Sequence, residues 1–275
     1  MKASPTTERI IVEDYQSNQE DYLIYLMHIE TYKFCRAYIK DKKVLDYGCG
    51  SGYGTAMVSD ECAHITGIDI SDEAITHAKS HYNADNLTYL NVGKAEETPL
   101  PFPDASFEVV LSFQVIEHVR DVTIYLREIE RVLVDGGHLI IATPDRSRRL
   151  FSFQKPWNMW HLREYSPKQL QDVLERFFSN VKVKQMGGRK DVIDIELKRI
   201  TRLKWSMLPF TLPFIPEPVR VGTIKLLKYL QNKFSKRPTT HPAPQFNGEA
   251  LAISDAELFS INLIAIANKK NNVQP

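Results

Sequence analysis

The sequence predicts an α/β fold with a doubly wound, mainly parallel sheet of seven strands, and three observations predict it. Short apolar runs alternate with helical segments from Lys43 to Thr143 at the spacing of βαβ units. The first run opens into a loop with glycine at every second position, Gly48, Gly50, Gly52 and Gly54. The composition, 43% hydrophobic and 25% charged over 275 residues, is that of a globular chain able to bury such a sheet.

Taken in order, residues 1–42 form an N-terminal helical segment, with a helix around Asp21–Ile39 that carries Tyr25, Ile29, Tyr32 and Phe34. His28 and Tyr32 would lie there either as a lid over a ligand or in the core. Residues 43–187 hold the sheet. Its strands are Lys43–Tyr47, His64–Asp69, Leu87–Val92, Phe107–Phe113, Gly137–Thr143 and Asn180–Met186, each rich in Val, Ile, Leu or Phe as strands covered on both faces are. The helices between them announce their starts. Ser71 precedes Asp72 and Glu73, a hydroxyl cap before acids in a positive first turn. Asp121 stands before Val122, Leu126, Ile129 and Leu133, with Gly136-Gly137 as the expected stop. Ser166-Pro167-Lys168-Gln169 reads as a capping box ahead of a face of Leu170, Val173, Leu174 and Phe177. Residues 188–248 read as a helical insertion, rich in proline and base, and residues 249–275 as the final strand, Leu258–Ala267, and a tail.

Several function classes are disfavoured by bulk properties. A formal net charge of +1 gives no global field for nucleic acid. Cys35, Cys49 and Cys62 contain no CxxC and leave one over, so neither a disulfide framework nor a structural zinc is expected. Met1 to Arg9 lacks the apolar core of a signal peptide, and no apolar run approaches the roughly 20 residues that span a bilayer. A cytoplasmic protein is the expectation.

The glycine loop carries the strongest signal. Its glycines permit a tight turn and let a ligand lie on bare backbone at a helix N-terminus. A dinucleotide fingerprint would need a third glycine where Tyr53 stands. Asp46, two residues before Gly48, would repel a pyrophosphate but suits a ligand with an ammonium group. Asp69 ends the second strand, where an acid accepts from both ribose hydroxyls, and Ile70 beside it suits an adenine face.

The runs VLDYGCGSGYGT, GIDIS, PLPFPDASFEVVLSFQVIEHV and ERVLVDGGHLIIATP, in that order, resemble the class I, Rossmann-like S-adenosylmethionine-dependent methyltransferases. The likeness is to those of ubiquinone biosynthesis and to saccharide and small-molecule O-methyltransferases, and it covers about Tyr32 to Phe178. It implies S-adenosyl-L-methionine as cofactor, with Asp46, Gly48, Gly50 and Gly52 at its methionine end, Asp69 at the ribose and Ile70 at the adenine. Many relatives read G-D-A after the third strand, whereas this chain reads Gly93-Lys94-Ala95-Glu96. A lysine cannot accept from the adenine amino group, so Ala95 and Glu96 are the expected contacts there. Gln114 would line the methyl-donor site.

Methyl transfer needs an aligned acceptor, exclusion of water and often removal of one proton. Glu117-His118 follows the fourth strand, at the ligand-binding end of a parallel sheet, and His118 is a candidate base. His161 is a second, inside an H-x-R-E-Y segment of the kind the related enzymes carry. Trp157 and Trp160 could wall an apolar or sugar acceptor. Each of these also has a purely structural reading, as a brace or packed loop. No His/Asp spacing calls for metal. The D/N-P-P-Y/F run of amino-directed nucleic-acid methyltransferases is replaced by Ser112-Phe113-Gln114-Val115, so nucleic acid is not an expected partner.

Between Arg189 and Phe246 stand twelve basic and four acidic side chains, about +8 net. This insertion is expected to be a cap over a small-molecule acceptor, a sugar or lipid-linked saccharide, with its lysines solvated. The alternative dips Trp205, Phe210 and Phe214 into a membrane interface while Lys225, Lys228 and Lys233 meet anionic lipid. A quinone-type O- or C-methyltransferase and a non-catalytic cofactor-binding module are the competing functions; oligomeric state is not legible.

Overall fold

Alternation along the strands sorts side chains into two apolar layers, one on each side of the sheet. Val44, Val109, Leu111, Ile264 and Ile266 fall on one face, while Leu45, Val110, Leu263, Ala265 and Ala267 fall on the other. The computed structural model describes residues 19–93, 98–234, 246–256 and 259–271. It contains β1 (Lys43–Tyr47), β2 (His64–Asp69), β3 (Leu87–Asn91), β4 (Phe107–Phe113), β5 (Leu133–Pro144), β6 (Phe178–Gly188), β7 (Leu251–Ser254) and β8 (Asn262–Lys269). Their order is β3-β2-β1-β4-β5-β8-β6-β7. The first five pair in parallel, and β8 enters antiparallel between β5 and β6.

The sheet therefore has eight strands, not seven. The additional strand, β7, is a four-residue edge that pairs antiparallel with the end of β6, from Leu251 opposite Gly188 to Ser254 opposite Gln185. So short a strand gives little periodic signal in sequence. The last strand runs to Lys269, and Leu258, its expected start, lies outside the described residues.

On the first face lie α1 (Gln19–Ile39) and α7 (Lys190–Met207), which share a core through Leu23, Met27, Tyr32, Cys35, Val192 and Ile193. The basic segment thus begins with a helix that packs in the α/β core. On the second face lie α4 (Val122–Val132) and α6 (Pro167–Glu175), seated by Val122, Leu126, Ile129, Leu170 and Leu174. Four further α-helices are described: α2 (Tyr53–Val58), α3 (Asp72–His81), α5 (Arg146–Arg149) and α8 (Glu217–Phe234), the last following the prolines.

The expected caps are formed. Ser71 Oγ accepts from Ala74 N at 3.2 Å. Ser166 and Gln169 bond reciprocally as a capping box. Asp121 Oδ1 accepts from Thr123 N at 2.9 Å and Ile124 N at 3.2 Å. The glycine stop after α4 is not what ends it. The chain turns extended at Leu133, and Gly136-Gly137 instead sit in an irregular stretch of β5, where the register with β4 slips between Phe107 and Val109. There Gly137 has no room for a Cβ, which would meet Val134 O at 2.8 Å. The three cysteines are buried and unbridged. Among the described residues, no helix is long and apolar enough to cross a membrane.

Replacing Asp121 by Ala removes both of its cap bonds at the start of α4. The expected loss is about 1 kcal/mol, read as a fall of roughly 2–4 °C in melting temperature, with cofactor affinity unchanged.

Candidate functional site

The strand order reverses between β1 and β4, and the loops that leave their carboxyl ends meet there. A Cβ placed on Gly48 would stand 2.3 Å from Val115 Cγ2, so only glycine lets the β1 loop close against the β4 turn. Gly50 differs. Its φ is +55° and nothing lies within 4 Å of where a Cβ would be, so here the bare backbone faces open space. Gly52 packs on Ala78 and Tyr89, leaving Gly50 as the one of the three that a ligand can lie against.

Two carboxylates frame the loop. Asp69 Oδ2 accepts from Gly50 N at 3.0 Å and Oδ1 from Ser71 N at 2.9 Å. Each oxygen keeps a further lone pair for a diol. Ile70 beside it is 58% exposed, an apolar surface at the rim. Asp46 lies beneath the loop, 1% exposed. Its Oδ2 accepts from Tyr32 OH at 2.9 Å and Thr55 Oγ1 at 2.7 Å, and its Oδ1 is buried with no hydrogen-bond partner. Burial raises its pKa to about 6 against the pull of those two hydrogen bonds. Tyr32 is therefore a brace under the loop rather than a lid above it, and it acts with Thr55; the sequence reading assigned neither this role. Ala95 and Glu96, with Lys94, lie outside the described residues.

The turn after β4 carries the second group of predicted residues. Gln114 holds a left-handed backbone, φ 57°, and its Nε2 donates to Asn262 Oδ1 of β8 at 3.3 Å. A non-glycine residue in that region is strained, and such strain gathers at functional sites. Glu117 is fully buried; Thr143 Oγ1 of β5 donates to its Oε2 at 2.9 Å, while Oε1 has no hydrogen-bond partner. The carbonyl of Glu117 also accepts from Leu162 N at 2.8 Å, which docks the 156–165 loop onto the turn. That contact places His161 beside His118, their ring centres 4.8 Å apart.

Both imidazoles are oriented by their Nδ1 atoms. His118 Nδ1 donates to Trp160 O at 3.1 Å, and His161 Nδ1 donates to Glu164 Oε1 at 2.8 Å. Glu164 is buried, which would raise its pKa, but Arg149 and His161 prevail and hold it at about 2. Arg149 reaches it with Nε at 3.0 Å and Nη2 at 3.2 Å and lies 4.2 Å from the Trp157 ring centre. The two tryptophans thus part company: Trp157 is bound up with Arg149, whereas Trp160 is 44% exposed beside the histidines. Arg220 of α8, 1% exposed, donates to the carbonyls of Pro156, Asn158 and His161 and so fastens the loop from the insertion side. Sequence reading missed Arg149, Glu164 and Arg220. Glu164 stood in the quoted H-x-R-E-Y segment, while nothing local marks an arginine that is buried by tertiary contacts. A cleft of about 310 Å³ between Ser147, Arg148, Phe151, Lys204, Trp205 and Phe259 includes none of the predicted site residues.

Residues 45–141 match the model of a methyltransferase domain. A protein of Mycolicibacterium smegmatis described as a probable S-adenosylmethionine-dependent methyltransferase is 34% identical over 134 residues, 49% of this chain and 50% of that one. A demethylmenaquinone methyltransferase of Tropheryma whipplei is 32% identical over 46% of this chain and 51% of its own. The ubiquinone biosynthesis O-methyltransferase of Maricaulis maris is 31% identical over 40% and 43%. Residues 45–141 thus resemble a methyltransferase domain, and the likeness is to proteins described as S-adenosylmethionine-dependent methyltransferases. The chain spans about half the length of the curated relatives it matches. Among solved structures, a SAM-dependent methyltransferase of Thermotoga maritima superposes with a TM-score of 0.58 at 16% identity, over 94% of this chain and 96% of its own. The [4+2]-cyclase SpnF does so with 0.54 at 15%, over 90% and 82%. These two share the fold, and the second shows that this fold alone does not set the reaction.

The likeness implies S-adenosyl-L-methionine as the cofactor, and the loop suits it. Gly50 would offer it bare backbone, Asp69 would offer lone pairs to a ribose, and the buried Asp46 would add negative potential toward a cationic group. The cofactor supplies an activated methyl group. The chain would supply orientation and shelter from water.

Two outcomes follow. Gly50→Ala adds a methyl group to the open face at a positive φ, so it should weaken S-adenosylhomocysteine binding at least tenfold in calorimetry while costing only about 1–2 kcal/mol of stability. The second concerns pH. Because the native pKa of Asp46 exceeds its ordinary 3.8, the native state holds that proton more tightly than the unfolded chain does. Stability from this group is complete below about pH 4 and is lost as pH rises through 6, about 3 kcal/mol in all. A cationic ligand favours the ionised form, so S-adenosylmethionine, which carries both a sulfonium and an ammonium group, should expel a proton on binding near pH 5.5. Calorimetry in buffers of different ionisation enthalpy should show this release, and Asp46→Asn should abolish it.

Proposed function

We propose that this protein transfers the methyl group of S-adenosylmethionine to a hydroxyl of a small, lipid-borne acceptor, with Glu117, His118 and His161 as the group that readies the hydroxyl. The observation that carries the reading is the convergence of two oriented imidazoles and a buried carboxylate on the turn that abuts the glycine loop. Methyl transfer to oxygen requires removal of the hydroxyl proton, and this cluster lies where the parallel strands present their ligands. The acceptor class we favour is a quinone-type phenol, because two of the relatives named above act in menaquinone and ubiquinone biosynthesis by name.

The surface of the insertion supports an acceptor delivered from lipid. Val219, Leu226, Tyr229 and Leu230 of α8 are exposed, as is Phe214 before it, and Lys225 and Lys228 flank them. Lys225 Nζ lies 5.8 Å from the ring centre of Trp160, so this apolar and basic face reaches the loop that holds His161. An amphipathic face of that kind suits an anionic bilayer surface. A second reading, a saccharide acceptor, rests on the exposed Trp160, whose ring could stack on a sugar.

The test is single-turnover methyl transfer with a demethylated quinol in anionic vesicles and with lipid-linked saccharide in parallel. His118→Ala and His161→Ala should each lower kcat about 100- to 10,000-fold while S-adenosylhomocysteine affinity is kept. Transfer to saccharide alone would replace the quinone reading. Unaltered turnover in both variants would remove the cluster from the chemistry.

A further inference from the structure

We propose that Glu117, His118 and His161 hold a divalent first-row metal ion that binds and acidifies the acceptor hydroxyl. The inference rests on the reading of this cluster as the acceptor site, which it deepens.

Three observations carry it. One ligand atom from each residue lies within 4.8 Å of the others, although His161 comes from a different loop 43 positions further along the chain. Ligands at about 2.0–2.2 Å from a zinc-sized ion stand some 3–4 Å apart, so the cluster need draw in by only about an ångström. Glu117 then presents a problem that an ion solves. Thr143 anchors Oε2, yet Oε1 is buried without a hydrogen-bond partner, a costly state for a carboxylate in the core. The buried guanidinium of Arg149 is already bidentate on Glu164.

The imidazoles supply the third observation. Each donates through Nδ1, one to the Glu164 carboxylate and one to the Trp160 carbonyl, which puts the ligating lone pair of the neutral ring on Nε2. A carboxylate or backbone carbonyl behind each histidine is the outer arrangement that fixes the tautomer of metal-bound imidazole. Two nitrogens and one oxygen suit Zn²⁺, Mn²⁺, Fe²⁺ or Co²⁺ and leave coordination positions open. An acceptor hydroxyl in an open position would lose its proton to solvent as it coordinates. Its oxygen would then form the C–O bond as the methyl C–S bond breaks, the electron pair remaining on sulfur. The ion keeps its oxidation state throughout.

A surface pair competes for metal. His77 and His81, one turn apart on α3, stack with ring centres 3.9 Å apart and can bind an ion with no bearing on the site. The experiment is a Co²⁺ titration of tag-free, chelator-treated full chain, read by visible absorption and by elemental analysis, with Zn²⁺ as competitor. Wild type and His81→Ala should each take up one Co²⁺ with the absorption of nitrogen ligation. Glu117→Gln, His118→Ala and His161→Ala should each weaken uptake at least about tenfold. S-adenosylhomocysteine binding, measured on every variant, reports that each is folded. Uptake that survives all three site substitutions, uptake lost in His81→Ala, or no uptake at all overturns the ion. S-adenosylhomocysteine binding without metal uptake would overturn the ion alone, whereas failure of the wild type to bind S-adenosylhomocysteine would strike the methyltransferase reading itself.

Discussion

The parallel pairing of β1 with β4 is the constraint on which the site depends. Three ladder positions, Val44–Val109, Leu45–Val110 and Asp46–Leu111, join strands separated by more than sixty residues. They end at a point where the loops must fold away from each other or collide. Gly48 settles that competition, because its missing side chain is the space that Val115 fills. The turn pressed against it then carries Gln114, Glu117 and His118. The glycine loop and the turn that carries Glu117 and His118 are therefore set against each other by one steric contact. A larger residue at position 48 would separate them.

Charge burial gives the 156–165 loop its rigidity. Removing Arg149 and Glu164 from water is costly, and a lone buried partner would be worse than none. The pair is retained with a stacking Trp157 above the guanidinium and a histidine on the carboxylate. Such an arrangement contributes less to net stability than to orientation. It fixes which nitrogen of His161 faces inward, which is the detail that either a base or a metal ligand requires.

Sequence disclosed this site unevenly, and the reason is locality. Asp46, Gly50 and Asp69 lie within one βαβ unit, so the spacing of the loop and its two acids was readable. The caps at Ser71, Asp121 and Ser166 were readable for the same cause, each being a bond to a neighbour two or three residues on. Tyr32 beneath Asp46, Arg149 behind Glu164 and Arg220 behind the 156–161 loop are partners across 14, 15 and about 60 residues. No period or motif encodes such distances. The short edge strand β7 and the irregular Gly136-Gly137 stretch escaped because tertiary pairing, not local propensity, decides them.

Arg220 shows how a segment that reads as an appendage becomes part of the site. Its guanidinium is buried, pairs with Glu217 one turn earlier on α8 and donates to three carbonyls of the loop that ends in His161. Those carbonyls have few backbone partners of their own in an irregular loop, so without Arg220 they would need water. The other side of the same helix exposes Val219, Leu226 and Tyr229. One helix thus meets the surroundings with its outer face and the loop that carries His161 with its inner one. Anything that moves α8 must strain or relax the hydrogen bonds that hold that loop in place.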